Sequence, residues 1–527
     1  MSADVPVLAG ERVVVIGAGF GGLSAAAHLA DRGARVTVLE ASADVGGKAG
    51  RITKEGFVFD TGPTVLTMPD VVRATFAAAG MGDAEREARV PFARLDPVCH
   101  YAWDDGTTLD VWNDDAKTAA SIARFSPRDA RHWPAFRAAC RRLAECAGEP
   151  YLEAPFDGMA GFSRRIFRKG LRAVALGMTL GGLDAFAKRH FESEKMRDVV
   201  RRFATYAGAS PFEAGAAYGM VVETEVGGGA FYPRGGMFAL ASTLRDALAR
   251  RGVAFRTGTP VARVDVDEAG RVVSVTTEAS ERIPASAVVC NVEPDRAHAT
   301  FLRDLAGRSA RVPTSVASTL SLSGFAWLLG VRGRAPLEHP HTVLFADDYR
   351  EEFRAIFERR TIAEDTTVYV EIASRDDDSR APPGDDVLFV LANAPPLGDA
   401  DDDAFRALAK AAVRRKLARH LGEAFFDRIV VEAEIGPRDI AKTGATGGAI
   451  YGHAPHGTLA PFARPTNRVS AVPGLYFAGG GTHPGGGVPL VLTSGRFAVD
   501  CLCEDVLRSR SSATPSRPLP DRGMERR

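Results

Sequence analysis

Cysteines are few in this sequence, neither sign of charge predominates, and no long hydrophobic run is present. The six cysteines of the 527-residue chain are scattered without a C-x-x-C pair, which argues against a disulfide framework and a cysteine metal site. We expect no metal. Lysine plus arginine and aspartate plus glutamate each number 66, so a dedicated nucleic-acid-binding protein is not expected.

Membrane-spanning segments are also missing from the pattern. The longest plainly apolar stretch of the interior, residues 173–183, is shorter than the roughly 20 residues that a helix needs to cross a bilayer. No secretory signal precedes the first predicted strand. We therefore expect a cytoplasmic protein that can lie on a membrane surface without crossing it.

Glycine, in contrast, is concentrated where strands end. A β-branched strand at 12–16 is followed by a G-x-G-x-x-G turn and a predicted helix, and Glu40 ends the next strand. Such a turn lets the backbone approach a pyrophosphate at a helix N-terminus, and the acid accepts hydrogen bonds from ribose hydroxyls. The pattern predicts a Rossmann-type dinucleotide site, with NADP disfavoured by the acid. The turn residues are Gly17, Gly19, Phe20, Gly21 and Gly22.

A second glycine pair favours FAD over NAD as the dinucleotide. Gly46 and Gly47 are followed by Lys48, and a predicted strand at 56–60 then leads to Thr61–Gly62–Pro63. A nicotinamide-binding domain would normally continue to its next helix at this point. A glycine pair with a cation suits a longer cofactor that lies extended along the chain.

The third glycine cluster lies near the far end of the chain. Residues 479–487 contain six glycines between an apolar strand and a predicted helix at 488–507, and Pro484 and Pro489 stiffen the same loop. Two prolines are not expected in a flexible linker, but they suit a loop whose fixed shape surrounds a ligand. We therefore expect this loop to contact the other end of the nucleotide bound at residues 17–22.

Six stretches together resemble the FAD-dependent carotenoid desaturase family, of the bacterial phytoene desaturase type within the flavin amine-oxidase superfamily. They are spread over nearly the whole chain up to about residue 505, and the last is more specific than the first glycine turn. The stretches are residues 13–26, 46–66, 231–237, 341–353, 364–375 and 479–489.

The resemblance implies FAD, with its pyrophosphate at the first glycine turn, its ribose at Glu40 and Lys48 near the cofactor chain. It places the backbone of Val261 near the adenine. Lysine stands at 48 where arginine is commoner in the family, so a bidentate contact would be weaker. Further cofactor contacts are assigned to Gly62, Pro63, Thr64, Gly480, Gly481, Gly487 and Val488.

The predicted fold class is α/β plus α+β: a Rossmann-type FAD-binding domain interleaved with a substrate domain of mixed sheet and helices. The chain leaves the FAD-binding domain and returns to it twice. We assign residues 1–90, 231–300 and 456–507 to the FAD-binding domain, 91–230 to a helical substrate and membrane-facing region, 301–455 to a mixed-sheet substrate region, and 508–527 to a disordered tail.

The implied reaction is desaturation of a long isoprenoid hydrocarbon, phytoene or a later carotenoid intermediate. Hydride loss to flavin N5 and loss of a neighbouring proton introduce the double bond. The substrate offers few polar groups, so an elongated apolar tunnel is expected, and residues 203–224 supply suitable side chains, although apolar residues at this spacing also form ordinary cores. By chemical type alone, His483, Glu223 and Glu225 are candidates for moving the proton, and a structural role for His483 is an equal alternative.

A substrate of this kind has to be collected from a membrane. Residues 163–191 place a basic cluster before an apolar run, which favours a helix lying on an anionic membrane surface over a solvated basic face. The cluster consists of Arg164, Arg165, Arg168, Lys169 and Arg172. Oxygen or a membrane quinone could reoxidise the flavin.

Three other functions stay open. A sister enzyme could desaturate a hydroxylated or methoxylated carotenoid of the hydroxyneurosporene type, or a carotenoid oxygenase could use the same fold. From a different class, a non-enzymatic isoprenoid carrier could share the fold without needing an FAD cradle. Bound flavin separates an enzyme from a carrier.

Overall fold

The first strand lies at the centre of a parallel sheet in the computed structural model, which describes residues 6–170, 181–303, 305, 319–396, 402–457 and 460–513. The strands are β1 (Arg12–Ile16), β2 (Arg35–Leu39), β3 (Arg51–Lys54), β4 (Phe57–Asp60), β5 (Phe92–Arg94), β6 (Cys99–Ala102), β7 (Thr108–Val111), β8 (Phe231–Pro233), β9 (Ala254–Arg256), β10 (Val261–Val266), β11 (Val272–Thr277), β12 (Arg282–Pro284), β13 (Ala287–Cys290), β14 (Ser323–Val331), β15 (His341–Leu344), β16 (Val368–Glu371), β17 (Asp386–Ala394), β18 (Ile429–Ile435) and β19 (Leu475–Phe477).

The α-helices lie between and around these strands. They are α1 (Phe20–Asp31), α2 (Pro69–Ala78), α3 (Asp83–Arg89), α4 (Asp115–Ala123), α5 (Pro127–Leu143), α6 (Glu149–Leu152), α7 (Met159–Arg168), α8 (Leu183–His190), α9 (Glu194–Arg202), α10 (Gly219–Val222), α11 (Gly236–Arg250), α12 (Pro294–Ala299), α13 (Tyr349–Phe357), α14 (Asp402–Leu421), α15 (Pro437–Lys442) and α16 (Val488–Ala513).

The parallel sheet has five strands in the order β19–β13–β1–β2–β9. Val13, Val14, Val15 and Ile16 are all buried, because helices and loops cover both faces of such a sheet. Helices α1, α11 and α16 pack on one face. The sheet draws its strands from three distant parts of the chain, and the predicted Rossmann-type fold is confirmed.

A second sheet has seven strands in the order β18–β14–β17–β16–β15–β6–β7. One face, which includes Trp327 and Val370, packs against α14. The opposite face carries Tyr101 and Val343 and packs against the helices formed by residues 127–226. A mixed sheet with helices on both faces agrees with the predicted α+β part of the fold.

The sequence analysis missed the hairpin of β6 and β7, which lies inside the segment predicted as a helical region, 91–230. These strands are four residues long, too short for a clear alternating pattern. They join the seven-stranded sheet because β6 pairs in parallel with β15. The region 91–230 therefore contributes both helices and strands, and the predicted domain boundaries stay predictions.

The boundary predicted for the disordered tail was wrong for residues 508–513, because α16 continues to Ala513. In this last part of the helix, serine hydroxyls donate to carbonyl oxygens one turn earlier: Ser509 to Asp505 at 3.0 Å and Ser511 to Leu507 at 2.9 Å. Arg508 also pairs with Glu504. Residues 514–527 of the predicted tail lie outside the described residues. Within the described part of the chain, we find no helix with the length and apolar character to cross a bilayer.

Candidate functional site

The first glycine turn connects β1 to α1 and is closely packed. Gly17 has a φ of 93°, a left-handed conformation that favours glycine. A Cβ atom on Gly22 would lie 1.9 Å from the carbonyl oxygen of Gly17, so only glycine fits there. Helix α1 begins at Phe20, and its first turn therefore presents backbone N–H groups at the carboxyl edge of the sheet.

The three glycine segments meet at this edge. Gly46 donates its N–H to the carbonyl of Ala18 at 2.9 Å, and a Cβ on Gly47 would lie 3.4 Å from the Cα of Gly19. A Cβ on Gly21 would lie 3.1 Å from the Cα of Gly479. Ligands of open parallel sheets bind beyond the carboxyl ends of the strands. The structure therefore brings the predicted N-terminal and C-terminal parts of the cofactor site into contact.

The C-terminal glycine loop is braced by residues that the sequence analysis did not single out. Arg464 donates to the carbonyl of Gly480 at 2.8 Å, and Ser494 donates to the carbonyl of His483 at 2.7 Å. Gly487 has a φ of 101°, and a Cβ on it would meet no atom within 4 Å. It precedes Val488, where α16 begins. The loop is thus a fixed, bare backbone surface, as a nucleotide cradle requires.

Asn291 is the most central residue that the sequence analysis missed. It directly follows β13 and donates its backbone N–H to the carbonyl of Ile16 at 2.8 Å. Its carboxamide nitrogen lies 2.9 Å from where a Cβ on Gly19 would be, and its oxygen lies 2.8 Å from the equivalent position on Gly479. The amide therefore stands between the two glycine loops. Its position just after a buried strand was the available signal.

Glu40 is held at the end of β2 by backbone groups. Its carboxylate accepts N–H groups from Ala18 at 2.7 Å and from Ser42 at 2.8 Å. Thr259 donates its N–H to the carbonyl of Glu40, so the chain leading to Val261 runs alongside. The carboxylate keeps further lone pairs for ribose hydroxyls, and this arrangement fits the predicted adenosine end of FAD.

Lys48 connects the second glycine pair to a distant loop. Its ammonium group donates to the carbonyl of Ile450 at 2.6 Å and lies 3.3 Å from a carboxylate oxygen of Glu293. Glu293 in turn packs against Gly481 and accepts the N–H of Thr446 at 2.8 Å. The predicted role of Lys48 beside the cofactor thus extends to holding the 446–450 loop over the site.

Gly62, Pro63 and Thr64 continue from Lys48 toward the seven-stranded sheet. A Cβ on Gly62 would lie 2.1 Å from the carbonyl oxygen of Lys48, which fixes this turn against the second glycine pair. The hydroxyl of Thr64 lies 3.0 Å from that of Tyr369, and Tyr369 lies 2.6 Å from Nδ1 of His341. These two residues fall inside motifs of the sequence but had no assigned role.

The two acidic candidates for proton transfer are both engaged in ion pairs. Glu223 lies 2.7 Å from Arg137 and 3.4 Å from Arg141. Glu225 is buried and lies 3.0 Å from Arg202, and it also accepts a hydrogen bond from the hydroxyl of Tyr206. Protonation of either carboxylate would leave an arginine without its counter-charge. The structure gives these residues a structural role in the helical layer.

His483 is packed among aromatic rings. Its ring stacks on Phe497 at 5.5 Å and meets Tyr151 edge-on at 4.5 Å. Burial lowers its pKa to about 4, so the ring is neutral and weakly basic near pH 7. The geometry therefore favours the structural alternative for His483, and its predicted catalytic role is untested.

The predicted membrane-facing cluster divides in the structure. Arg164, Arg168 and Lys169 are exposed, but Arg165 is buried and was wrongly assigned to the surface. Arg165 donates to the carbonyl of Pro150 at 3.0 Å and pairs with Asp157, which compensates its charge. Arg172 lies outside the described residues. The same helix also exposes Met159 (48%) and Phe167 (58%).

Two groups of potential metal ligands occur in the described part of the chain. They are His100, Asp110 and His339, and Asp104, Asp347 and Asp365. Asp110 is also paired with Arg124 at 3.1 Å, and Lys416 and Arg419 neutralise the second group. Protein cations therefore already compensate both groups.

Known proteins resemble this chain over nearly its whole length. Hydroxyneurosporene desaturase of Rubrivivax gelatinosus is 33% identical, with 93% of each chain covered. The zeta-carotene-forming phytoene desaturase of Myxococcus xanthus is 31% identical, with 94% of each covered. A solved oxidoreductase from Methanosarcina mazei superposes with a TM-score of 0.60 at 16% identity, covering 93% of this chain and 100% of that one, and it supports the fold alone.

A family model described as flavin containing amine oxidoreductase matches residues 20–503. The match includes the second half of the first glycine turn and all of the other glycine segments that the structure brings together. The predicted cofactor class is confirmed by this family, and the cradle built from bare backbone at the sheet edge fits FAD. The chain belongs to the flavin containing amine oxidoreductase family.

Proposed function

We propose that this protein is an FAD-dependent desaturase that acts on a carotenoid or a carotenoid precursor. The observation that carries the proposal is the contact between the glycine turn at 17–22 and the loop at 479–488, which makes one cradle for an extended flavin nucleotide. The two relatives named above are carotenoid desaturases. When bound, FAD supplies the hydride acceptor that no side chain provides.

The protein would supply a cofactor cradle and an apolar cleft. The first turn of α1 and the carboxamide of Asn291 would hold the pyrophosphate, Glu40 the ribose, and the loop ending at Val488 the flavin end. The substrate has few polar groups, so its affinity must come from apolar area at about 25 cal/mol per Å² removed from water.

The side chains suited to such a cleft are apolar residues that the protein leaves half-buried. On the helical layer they lie within 203–224, the segment expected to line the tunnel. On the opposing layer they lie on the seven-stranded sheet and beside Thr64. Tyr369 packs against both apolar clusters, so the two layers meet along it. The half-buried residues are Tyr206, Ala207, Phe212, Met220, Val221, Val65, Tyr369 and Leu391.

Helix α7 supports delivery of the substrate from a membrane. Phe167 and Met159 are exposed apolar side chains next to the exposed cations Arg164, Arg168 and Lys169. Apolar anchors beside basic residues bind anionic lipid surfaces. We therefore propose peripheral membrane association through α7, with oxygen or a membrane quinone as the final electron acceptor.

A substrate that carries a hydroxyl group is the second candidate, and buried polar atoms favour it. The hydroxyl of Tyr232 and Oε1 of Glu371 are buried without a hydrogen-bond partner among the described residues. An unpaired buried polar group costs roughly 1–3 kcal/mol, and a pure hydrocarbon cannot satisfy it. The terminal hydroxyl of a carotenoid could.

Expression in two pigment backgrounds tests both candidates. One host accumulates phytoene and the other accumulates hydroxyneurosporene, and extracted pigments are separated by chromatography. New conjugated products in the first host support hydrocarbon desaturation, and products only in the second support the hydroxylated substrate. A product with added oxygen would indicate an oxygenase. Flavin-loaded protein that changes neither pigment would refute the proposal, and protein that binds the pigment without flavin would indicate a carrier.

A further inference from the structure

Tyr369 occupies an unusual position for a tyrosine on a buried sheet. It is half-buried and belongs to the contact between the helical layer and the sheet. Its hydroxyl lies 2.6 Å from Nδ1 of His341 and 3.0 Å from the hydroxyl of Thr64. Thr64 directly follows the Gly62–Pro63 turn at the cofactor site. Tyr369 therefore links the Gly62–Pro63 turn to the interior of the sheet.

The surroundings of His341 set the direction of these hydrogen bonds. His341 is 2% exposed, and its Nε2 lies 3.6 Å from a carboxylate oxygen of Asp376. Neither atom has a hydrogen-bond partner among the residues described. A carboxylate facing Nε2 favours the tautomer with the proton on that nitrogen, and in this tautomer Nδ1 accepts the phenol O–H. The hydroxyl of Thr64 can then donate to the phenol oxygen of Tyr369.

Tyr369 cannot act as a base by first losing its proton. Burial, and then the nearby Glu371, raise the pKa of this phenol well above its ordinary value, so it stays protonated at neutral pH. A neutral phenol accepts a proton only while it gives up its own. The hydrogen bond to Nδ1 of His341 provides the place for that second proton.

We propose that Tyr369 and His341 form the proton acceptor of the desaturation, with Tyr369 touching the substrate and His341 acting through it. The inference rests on the proposed function. The substrate gives up a hydride, for which bound FAD would supply the acceptor, and a proton from the neighbouring carbon, and the electron pair of that second C–H bond becomes the new π bond. The proton goes to the phenol oxygen of Tyr369 while the phenol proton moves to Nδ1 of His341, leaving an imidazolium beside Asp376.

Other titratable groups lie near Tyr369 and His341 and contribute to the pH dependence of the reaction. Glu371 lies on the same strand face as Tyr369, and burial raises its pKa well above the ordinary value. Cys99 and Tyr206 approach Tyr369 from β6 and from the helical layer. Asp60 and Arg380, paired at 2.9 Å, lie beyond Glu371.

Tyr369→Phe and His341→Gln test the relay, with Tyr476→Phe as the matched control. Tyr476 is a buried tyrosine whose hydroxyl donates to a carboxylate oxygen of Asp505 at 2.9 Å. It lies on the five-stranded sheet, whereas Tyr369 lies on the seven-stranded sheet. General acid–base groups contribute roughly 10²–10⁴-fold to rates. We expect kcat for the desaturated carotenoid to fall at least about 10²-fold in Tyr369→Phe, with flavin content and KM close to wild type, and the control to keep its kcat.

Two readouts separate a relay from a merely structural hydrogen bond. The pH profile of kcat should change in His341→Gln and stay that of the wild type in Tyr476→Phe. By NMR of histidine-labelled protein, without substrate, the resonance of His341 should move in Tyr369→Phe and stay unchanged in Tyr476→Phe.

The possible failures are distinguishable. Wild-type enzyme that desaturates its substrate, with Tyr369→Phe within threefold in kcat and unchanged in pH profile, would overturn the relay and leave the proposed function standing. An unmoved His341 resonance in Tyr369→Phe would also overturn it. Flavin-loaded wild type that desaturates no carotenoid would overturn the proposed function and the relay together.

Discussion

Gly21 and Gly479 touch across the carboxyl edge of the five-stranded sheet, where a Cβ on Gly21 would lie 3.1 Å from the Cα of Gly479. The oxygen of Asn291 stands 2.3 Å from that same Cβ position. The first helix of the chain and its last helix are further joined by Ser24, which donates to the carbonyl of Leu492 at 2.6 Å. One nucleotide can therefore be held by both ends of the sequence.

Gly21→Val should weaken FAD binding, because its side chain has no space between the two loops. We expect FAD to bind at least about tenfold more weakly, which corresponds to ~1.4 kcal/mol. The ratio of flavin absorbance to protein absorbance measures this loss. Gly82→Ala is the control, since a Cβ at Gly82 meets no atom within 4 Å and should leave the ratio unchanged. Full flavin content in Gly21→Val would contradict the cradle.

The ion pair of Asp60 and Arg380 should matter for stability. The two side chains are each 2% exposed and lie 2.9 Å apart, so Arg380→Met would leave a buried carboxylate without its cation. Breaking such a pair costs about 3–5 kcal/mol. The urea midpoint of flavin-loaded protein should fall accordingly. Arg73→Met, which breaks the exposed pair with Asp70, should cost about 0–1 kcal/mol, and equal effects of the two variants would refute the expectation.

Charge reversal on α7 should release the protein from anionic membranes. The triple variant Arg164→Glu, Arg168→Glu and Lys169→Glu removes the exposed cations, and each basic residue near a membrane surface contributes about 1 kcal/mol. Co-sedimentation with phosphatidylserine vesicles measures the loss, which should resemble the effect of high salt on the wild type. Reversing Arg73, Arg89 and Arg250, of similar exposure, is the control. Equal sedimentation of both triple variants would count against α7.

His483 should make stability depend on pH between about 4 and 6.5. Burial lowers its folded-state pKa to about 4 from 6.5, so the unfolded state binds more protons in this window. Stability is therefore present at pH 7 and is lost as the pH falls through the window, at up to about 1.4 kcal/mol per pH unit.

His483→Phe isolates this contribution in a series of urea titrations across the window. His28, whose pKa burial also lowers to about 4, still titrates in the variant, so the slope should become smaller without vanishing. An unchanged slope would show that His483 is protonated in the folded protein. Retained flavin and retained desaturation in the variant would support its structural role.

Periodic helices and strands were predictable from the sequence, whereas the contact partners of individual side chains were not. The predicted strand at 12–16 has the observed bounds, and the helix predicted to begin at residue 488 is found to begin there, at Val488. Their periodicity is local information. The ion pairs of Glu223 with Arg137 and Arg141 join distant segments of the chain, which local composition does not encode. Arg165 likewise is buried by contacts outside its own helix.

The same distinction applies to the site. The glycine turns could be predicted from the sequence because close backbone packing requires glycine, independently of the neighbouring residues. Asn291, Tyr369 and His341 are ordinary residue types, and only the pairing of β1 with β13 and of β15 with β16 brings them to their positions. Their importance is a property of strand register.

The five-stranded sheet has a consequence for how the protein is made. Its edge strand β19 is Leu475–Phe477, so the sheet that carries the cradle cannot be completed until residue 477 has left the ribosome. Domains assembled from one continuous segment can fold during translation, but this one has to wait for β19. A nascent chain stalled before residue 475 would have no complete nucleotide site.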